Sequence, residues 1–142
     1  MSKLTDLIIK HEGIRLMPYK DSLGYLTIGV GRNLDHVGIT QAEAMMMLER
    51  DMAVAEMELR KVWPNLFQTE HLDGARRDAM VNMCFNMGIV RLLGFKKLIA
   101  ALEAREWHTA ANEARNSRWA TQVQPERVAD ICFMLERGEY PK

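Results

Sequence analysis

The chain has 142 residues, 48% of them hydrophobic, enough for a real core in one compact unit or two small lobes without disulfide staples. Lys plus Arg and Asp plus Glu both total 19; residues 1–72 hold 8 basic and 10 acidic side chains, and residues 73–142 hold 11 and 9. So even a balance gives no argument for a nucleic-acid-binding surface and leaves only weak global steering toward a charged partner.

The first predicted element ends at Glu12. Leu4, Leu7 and Ile8 share a face at helical spacing, and Gly13 follows as a stop, which leaves a carboxylate on a rigid helical terminus. The apolar run Leu7-Ile8-Ile9 is too short for a signal-peptide core, and nothing in the chain approaches a membrane span. Asp21 then opens a turn through Ser22 and Gly24, after which Tyr25, Leu26, Thr27 and Ile28 read as a strand broken by Gly29 and Gly31. Gly29-Val30-Gly31 is not a nucleotide loop, because no third Gly or Lys-Ser/Thr follows at the required spacing; tight turns explain it better.

Glu12, Asp21 and Thr27 therefore sit on three adjacent local elements that can fold onto one another. Cleavage of a glycosidic bond needs one carboxyl group protonated to donate to the leaving oxygen and a second one ionised to position water or attack carbon. Glu12, beside the apolar face of its helix, is the better candidate for the acid, since desolvation disfavours a charged carboxylate. Asp21, on a polar turn, is the better candidate for the ionised partner, and the Thr27 hydroxyl can hold a water against it. Spacing alone does not separate such a pair from solvated or capping carboxylates.

Thr40-Gln41-Ala42-Glu43 is a capping box, and it predicts a helix over 40–63 that Trp63-Pro64 stops. Met45, Leu48, Met52, Ala55, Leu59 and Val62 recur along it at three-four spacing. At about 1.5 Å per residue such a helix is roughly 30 Å long and can join two lobes. Its methionines read as core packing by flexible thioethers, with coiled-coil dimerisation as the sharper alternative.

From Leu72 onward, Ala79, Met80, Val81, Met83, Cys84, Phe85 and Met87 predict a helix apolar on most faces, hence central, with Gly88 as its stop. Phe95, Leu98, Ile99 and Leu102 mark another helix; Trp107, Ala110, Ala111 and Ala114 mark the next, and Pro125 starts a last one ending near Gly138. Cys84 and Cys132 lie within apolar patterns without close metal spacing and read as reduced core residues of a protein made in the cytoplasm. His11, His36, His71 and His108 are scattered, with no HExxH, so no metal site is expected. Arg76-Arg77 and Lys96-Lys97 read as solvated helix faces. No internal repeat or Pro/Ser-rich linker appears.

Taken together, Glu12-Gly13, Arg15-Leu16, Tyr19-Lys20-Asp21, Gly24, Thr27-Ile28-Gly29 and Gly31 resemble the signature of the phage lysozymes of the T-even type, the glycoside hydrolase family that cleaves bacterial cell walls. The segment from Arg76 to Gly88 is similar to that family's central buried helix. Gly94-Phe95, Trp107 and Ser117-Arg118-Trp119 continue the resemblance in order, so that it covers the chain from about Leu4 to Arg127. The resemblance implies an α+β, mainly helical, lysozyme-like fold. Its parts would be an N-terminal lobe of helix and β-hairpin over 1–39, a bridging helix over 40–63 and a helical lobe over 64–142. It implies Glu12 as general acid, Asp21 as the carboxylate that positions the nucleophilic water, and Thr27 as the second anchor of that water. Phe85 would line the sugar-binding groove, with Asn86 following it at a site where amide side chains occur.

The family inverts anomeric configuration, which requires carboxyl groups about 6.5–9.5 Å apart to leave room for water. The implied substrate is peptidoglycan, cut without a cofactor or metal at the β-1,4 bond between N-acetylmuramic acid and N-acetylglucosamine, in the service of host lysis. A monomer with no nucleic-acid partner and no stable membrane association is implied, made in the host bacterial cytoplasm and released to the periplasm and wall through a holin. A lytic transglycosylase leaving 1,6-anhydromuramic ends and a non-enzymatic wall-binding domain are the rival readings; retention of both Asp21 and Thr27 argues for water as nucleophile. Departures stand out too. Relatives usually carry His where this chain has Arg32, which cannot titrate near neutrality and needs its own ion-pair partner. His11 replaces an Asp of some relatives, which unsettles a contact with a basic residue such as Arg127. Asn33, Leu98 and Glu113 do not match sugar-contacting residues, and the chain is shorter around 33–38, where a small helix is expected to be missing.

Overall fold

The computed structural model describes residues 1–72 and 74–142, and the chain divides into two units, Met1–Met47 and Leu48–Lys142. It is mainly helical with a small sheet, the α+β class expected from the sequence.

In the first unit, helix α1 (Lys3–Glu12) opens where the Ser2 hydroxyl accepts the Thr5 N–H at 3.0 Å. It ends where Gly13, at φ 75°, donates its N–H to the Ile9 carbonyl. Three strands follow, β1 (Arg15–Lys20), β2 (Leu26–Gly29) and β3 (Arg32–Asn33), forming an antiparallel sheet in the order β1-β2-β3. β1 pairs Arg15 with Gly29 and Tyr19 with Thr27, so its register shifts between those two points, where Pro18 lies. A proline without an N–H is tolerated there because β1 is an edge strand and the stretch is bulged. The Arg15 guanidinium lies 4.4 Å from the centroid of the Tyr19 ring, bridging the irregular stretch. Strand β3 is too short to carry an alternation pattern, which is why only a hairpin was legible in the sequence. Residues 34–37 form turns, with no helix.

Helix α2 (Gln41–Val62) starts as the capping box predicts: Thr40 Oγ1 accepts the Glu43 N–H at 3.1 Å, and Glu43 Oε1 accepts the Thr40 N–H at 3.0 Å. Its methionines depart from expectation. Met45, Met46, Met47, Met52 and Met57 are exposed, and only Ala55 and Leu59 are buried, because the core of the second unit reaches just that part of the helix.

The second unit holds the hydrophobic core. Pro64 stops α2 and is also the first residue of a short helix, α3 (Pro64–Phe67), since its missing N–H costs nothing in a first turn. Helix α4 (Gly74–Met87) buries Ala75, Ala79, Met80, Met83, Cys84 and Met87, as its apolar sequence predicts, although Phe85 remains exposed. It is followed by α5 (Ile89–Leu92), α6 (Lys96–Glu103), α7 (Trp107–Arg115), α8 (Arg118–Gln122) and α9 (Pro125–Arg137). α7 packs on both α6 and α9, and α4 packs on α9. α9 ends on Gly138 in the left-handed conformation at φ 69°. The short α3, α5 and α8 leave no signal in the sequence because helices of one turn show no periodicity.

Arg76 and Arg77 are not the solvated face expected. Arg76 donates from Nε to the Leu135 carbonyl and from Nη2 to the Glu136 carbonyl, both at 2.8 Å, and its guanidinium lies over the Trp107 ring. Arg77 donates to Glu56 Oε1 at 2.7 Å and to the Phe67 carbonyl at 2.8 Å. A planar fork with several donors can close a helix end or tie two elements at once, which a compact point charge does less well.

Candidate active site

The hairpin turn between β1 and β2 is built around the backbone of Tyr25. Its N–H donates to Asp21 Oδ1 at 2.9 Å, and its carbonyl accepts both the Asp21 N–H and the Thr27 hydroxyl, each at 2.9 Å. The Leu23 N–H adds a second donor to Asp21 Oδ1 at 2.9 Å. Charge-assisted bonds of this kind fix the rotamer of a carboxylate. Among the described residues no protein donor reaches the other carboxylate oxygen, Oδ2. Thr27 lies in the central strand, paired with Tyr19 on one side and Asn33 on the other, and is only 3% exposed. Its hydroxyl proton is committed to Tyr25, so its oxygen is oriented as an acceptor.

Glu12 reaches the same sheet from the end of α1. The positive φ of Gly13 turns the chain out of the helix into β1. On the far side, Gly31 stands in the two-residue turn between β2 and β3 at φ 68°. A Cβ added at Gly31 would lie 2.8 Å from Glu12 Oε2 and 2.9 Å from its Cδ. The Glu12 carboxyl group thus rests against a backbone that only glycine provides. In the sequence this glycine signals only a turn; nothing local signals the second demand on it. The apolar shelter expected around Glu12 is not present, since α1 has no buried residue and Glu12 itself is exposed.

Arg32 finds its partner across the loop. Its Nη1 donates to Glu43 Oε1 and to the Gly38 carbonyl, each at 3.0 Å, tying β3 to the first turn of α2. Glu43 Oε1 also accepts from the Thr40 hydroxyl. The hydrogen bond from Arg32, followed by those from Thr40, holds the Glu43 carboxyl down at about 2. The capping box made Glu43 visible in the sequence; its second use as the counter-ion of Arg32 was not.

Glu12, Asp21 and Thr27 belong to the first unit, and the expected sugar-contacting residues Phe85 and Asn86 to the second. As consecutive residues of α4 these two face different ways. Phe85 lines a cavity of about 710 Å³ together with Val81, Asn82, Arg127 and Tyr140. Asn86 instead accepts the Trp119 indole N–H on its Oδ1 at 2.8 Å, which leaves its NH₂ as the group able to meet a ligand.

The histidines stay apart: His36 meets the Tyr25 ring, His71 the Leu102 carbonyl and His108 the Glu136 carboxylate. Among the described residues no three or more His, Cys, Asp or Glu gather as a metal site. Cys84 and Cys132 are free and buried; burial pushes the Cys84 thiol up to about 11 and raises that of Cys132.

A profile described as phage lysozyme matches residues 9–130. Two proteins of Dictyostelium discoideum, named probable T4-type lysozyme 1 and probable T4-type lysozyme 2, are 29% and 30% identical to this chain. Each match spans 97% of this chain and 96% of the relative. The pre-baseplate central spike protein Gp5 of Enterobacteria phage T4 is 28% identical over 95% of this chain and 28% of its own length.

Proposed function

Because this chain belongs to the phage lysozyme family and is a lysozyme-type peptidoglycan hydrolase, we propose that it cleaves the β-1,4 bond between N-acetylmuramic acid and N-acetylglucosamine with inversion. The observation that carries this reading is the pairing of Glu12 with Gly31, which brings a carboxyl group onto the sheet whose Tyr25 backbone holds Asp21 and Thr27. Glu12 is the general acid and protonates the leaving oxygen. A water then donates one hydrogen to Asp21 and the other to the Thr27 oxygen, which turns its lone pair toward the anomeric carbon from the opposite face. Asp21, held in place by its backbone N–H donors, takes the proton as the carbon–oxygen bond forms. A proton donor and an activated water complete the reaction, so no cofactor is called for.

Phe85 and the NH₂ of Asn86 contact the glycan in this reading. The enzyme acts as a monomer in host lysis. No helix among the described residues is long and apolar enough to cross a membrane. The route we infer runs from the host cytoplasm through a holin to the periplasm and wall.

Mass spectrometry of fragments released from purified peptidoglycan tests the bond and the nucleophile together. Reducing-end N-acetylmuramic acid is expected. Fragments ending in 1,6-anhydromuramic acid would make the protein a lytic transglycosylase, and absence of fragments would make it a wall-binding domain.

A further inference from the structure

We propose that Asp35 and His36, in the turn after β3, are positioning residues for the hydrolytic water, acting through Tyr25 and Leu26. The inference rests on the reading above, in which Asp21 and Thr27 hold that water. Among the described residues no hydrogen bond joins Asp35 or His36 to Asp21 or Thr27. Instead, each grips a segment whose backbone controls them.

Leu26 lies between Tyr25 and Thr27, and the turn secures both of its backbone groups. Its N–H donates to Asp35 Oδ2 at 2.7 Å, and its carbonyl accepts the Leu34 N–H at 2.7 Å. The His36 ring meets the Tyr25 ring edge to face, with centroids 4.6 Å apart and planes at 81°. The turn is itself pinned by Asn33. The Asn33 side chain accepts the His36 N–H at 2.9 Å, and its carbonyl accepts the Val37 and Gly38 N–H groups at 3.0 Å.

Tyr25 is where these restraints become functional. Three bonds to its own peptide groups set the Asp21 carboxylate and the Thr27 hydroxyl, so a shift of Tyr25 moves both anchors of the water together. The first unit has no apolar core to absorb such a shift: Thr27 is its single buried residue. Placement of the anchors therefore depends on hydrogen bonds and one ring contact. Displacing a reacting group by about 1 Å costs on the order of a hundredfold in rate, so a partial loosening is readable as kcat.

Steady-state hydrolysis of soluble, uncross-linked glycan strands by the full chain tests this, with Asp35→Ala, Asp35→Asn, His36→Ala, His36→Phe, Asp21→Asn and, as a control at an exposed position of the second unit, Val90→Ala compared below their melting temperatures. Asp35→Ala is expected to lower kcat about tenfold with KM within about twofold, because the anchors move while sugar contacts do not. Asp35→Asn keeps a carbonyl oxygen for the Leu26 N–H and is expected to restore most of the rate. His36→Ala is expected to lower kcat about threefold, and His36→Phe, which keeps a ring edge on Tyr25, to recover it. Val90→Ala stays at the parent rate. If Asp21→Asn is inactive while Asp35→Ala and His36→Ala keep the parent kcat, the positioning role is wrong and the water site stands. If the losses appear in KM, or if the Asn and Phe variants rescue nothing, the role is likewise overturned. Full turnover by Asp21→Asn would remove the water site and this inference with it.

Discussion

Within residues 1–47 the sole buried residue is Thr27, whereas every buried hydrophobic residue described lies between Ala55 and Leu135. The second unit follows the ordinary logic of helices with apolar faces gathered round a core. The first is organised by hydrogen bonds and glycine turns: a Tyr25 peptide with three partners, an Asp35 carboxylate on a strand N–H, and an Arg32–Glu43–Thr40 cluster at a helix start. Chemistry and stability thus reside in different regions. Groups assigned to the chemistry sit where backbone geometry fixes direction, and burial that stabilises the fold sits elsewhere. Substitutions in the two regions should therefore fail in different ways.

The largest separation is expected at Glu12. Glu12→Gln is nearly isosteric but cannot donate the proton, so hydrolysis should fall by roughly 10²–10⁴-fold with melting temperature unchanged. Turnover within about tenfold of the parent would remove Glu12 from the acid role. The opposite behaviour belongs to Leu59, which is fully buried. Leu59→Ala should lower unfolding free energy by about 2–5 kcal/mol, measured by denaturant titration, while kcat per folded molecule is retained. A loss of kcat in the folded fraction would contradict the separation.

Gly31→Ala tests both demands on one residue. The added Cβ meets Glu12 at 2.8 Å, and the positive φ adds about 1–2 kcal/mol of backbone strain. A fall in kcat larger than a core substitution produces, with a modest loss of stability, is the expected result. A crystal structure of the variant should show the Glu12 carboxyl displaced.

The smallest effect concerns pH. Glu43 is held below its ordinary value of 4.5, at about 2, so the contribution of its cluster is fully present above the ordinary value and lost as pH falls through about 2. Arg32 stays charged throughout, so this pair adds no transition near neutrality. Carboxyl-carbon NMR should report Glu43 titrating near 2 in the parent and closer to 4.5 in Arg32→Gln. An unshifted titration in the variant would show that Arg32 is not the cause.

Local signals carried most of what was legible in the sequence. The Thr40–Glu43 box, the Gly13 and Gly138 stops and Pro125 at the start of α9 each act within one turn of chain, and each appears where its residues predict. The candidate site was legible as a string of residue types, because its turns need glycines and its carboxylates lie close in sequence. What escaped was tertiary. The reach of Arg76 to the end of α9, the choice of Glu43 by Arg32 and the pressure of Glu12 on Gly31 join residues whose spacing implies nothing. The methionines of α2 misled because three-four spacing identifies a helix face without saying how much of it a core will cover.

In the proposed mechanism a water held by Asp21 and Thr27 attacks from the face opposite Glu12. Proton NMR of the first product released from soluble glycan strands, recorded before mutarotation, tests it most directly. Inversion of the β-linked bond predicts the α-anomer of the new N-acetylmuramic acid reducing end; an initial β-anomer, or a 1,6-anhydro end, would contradict it.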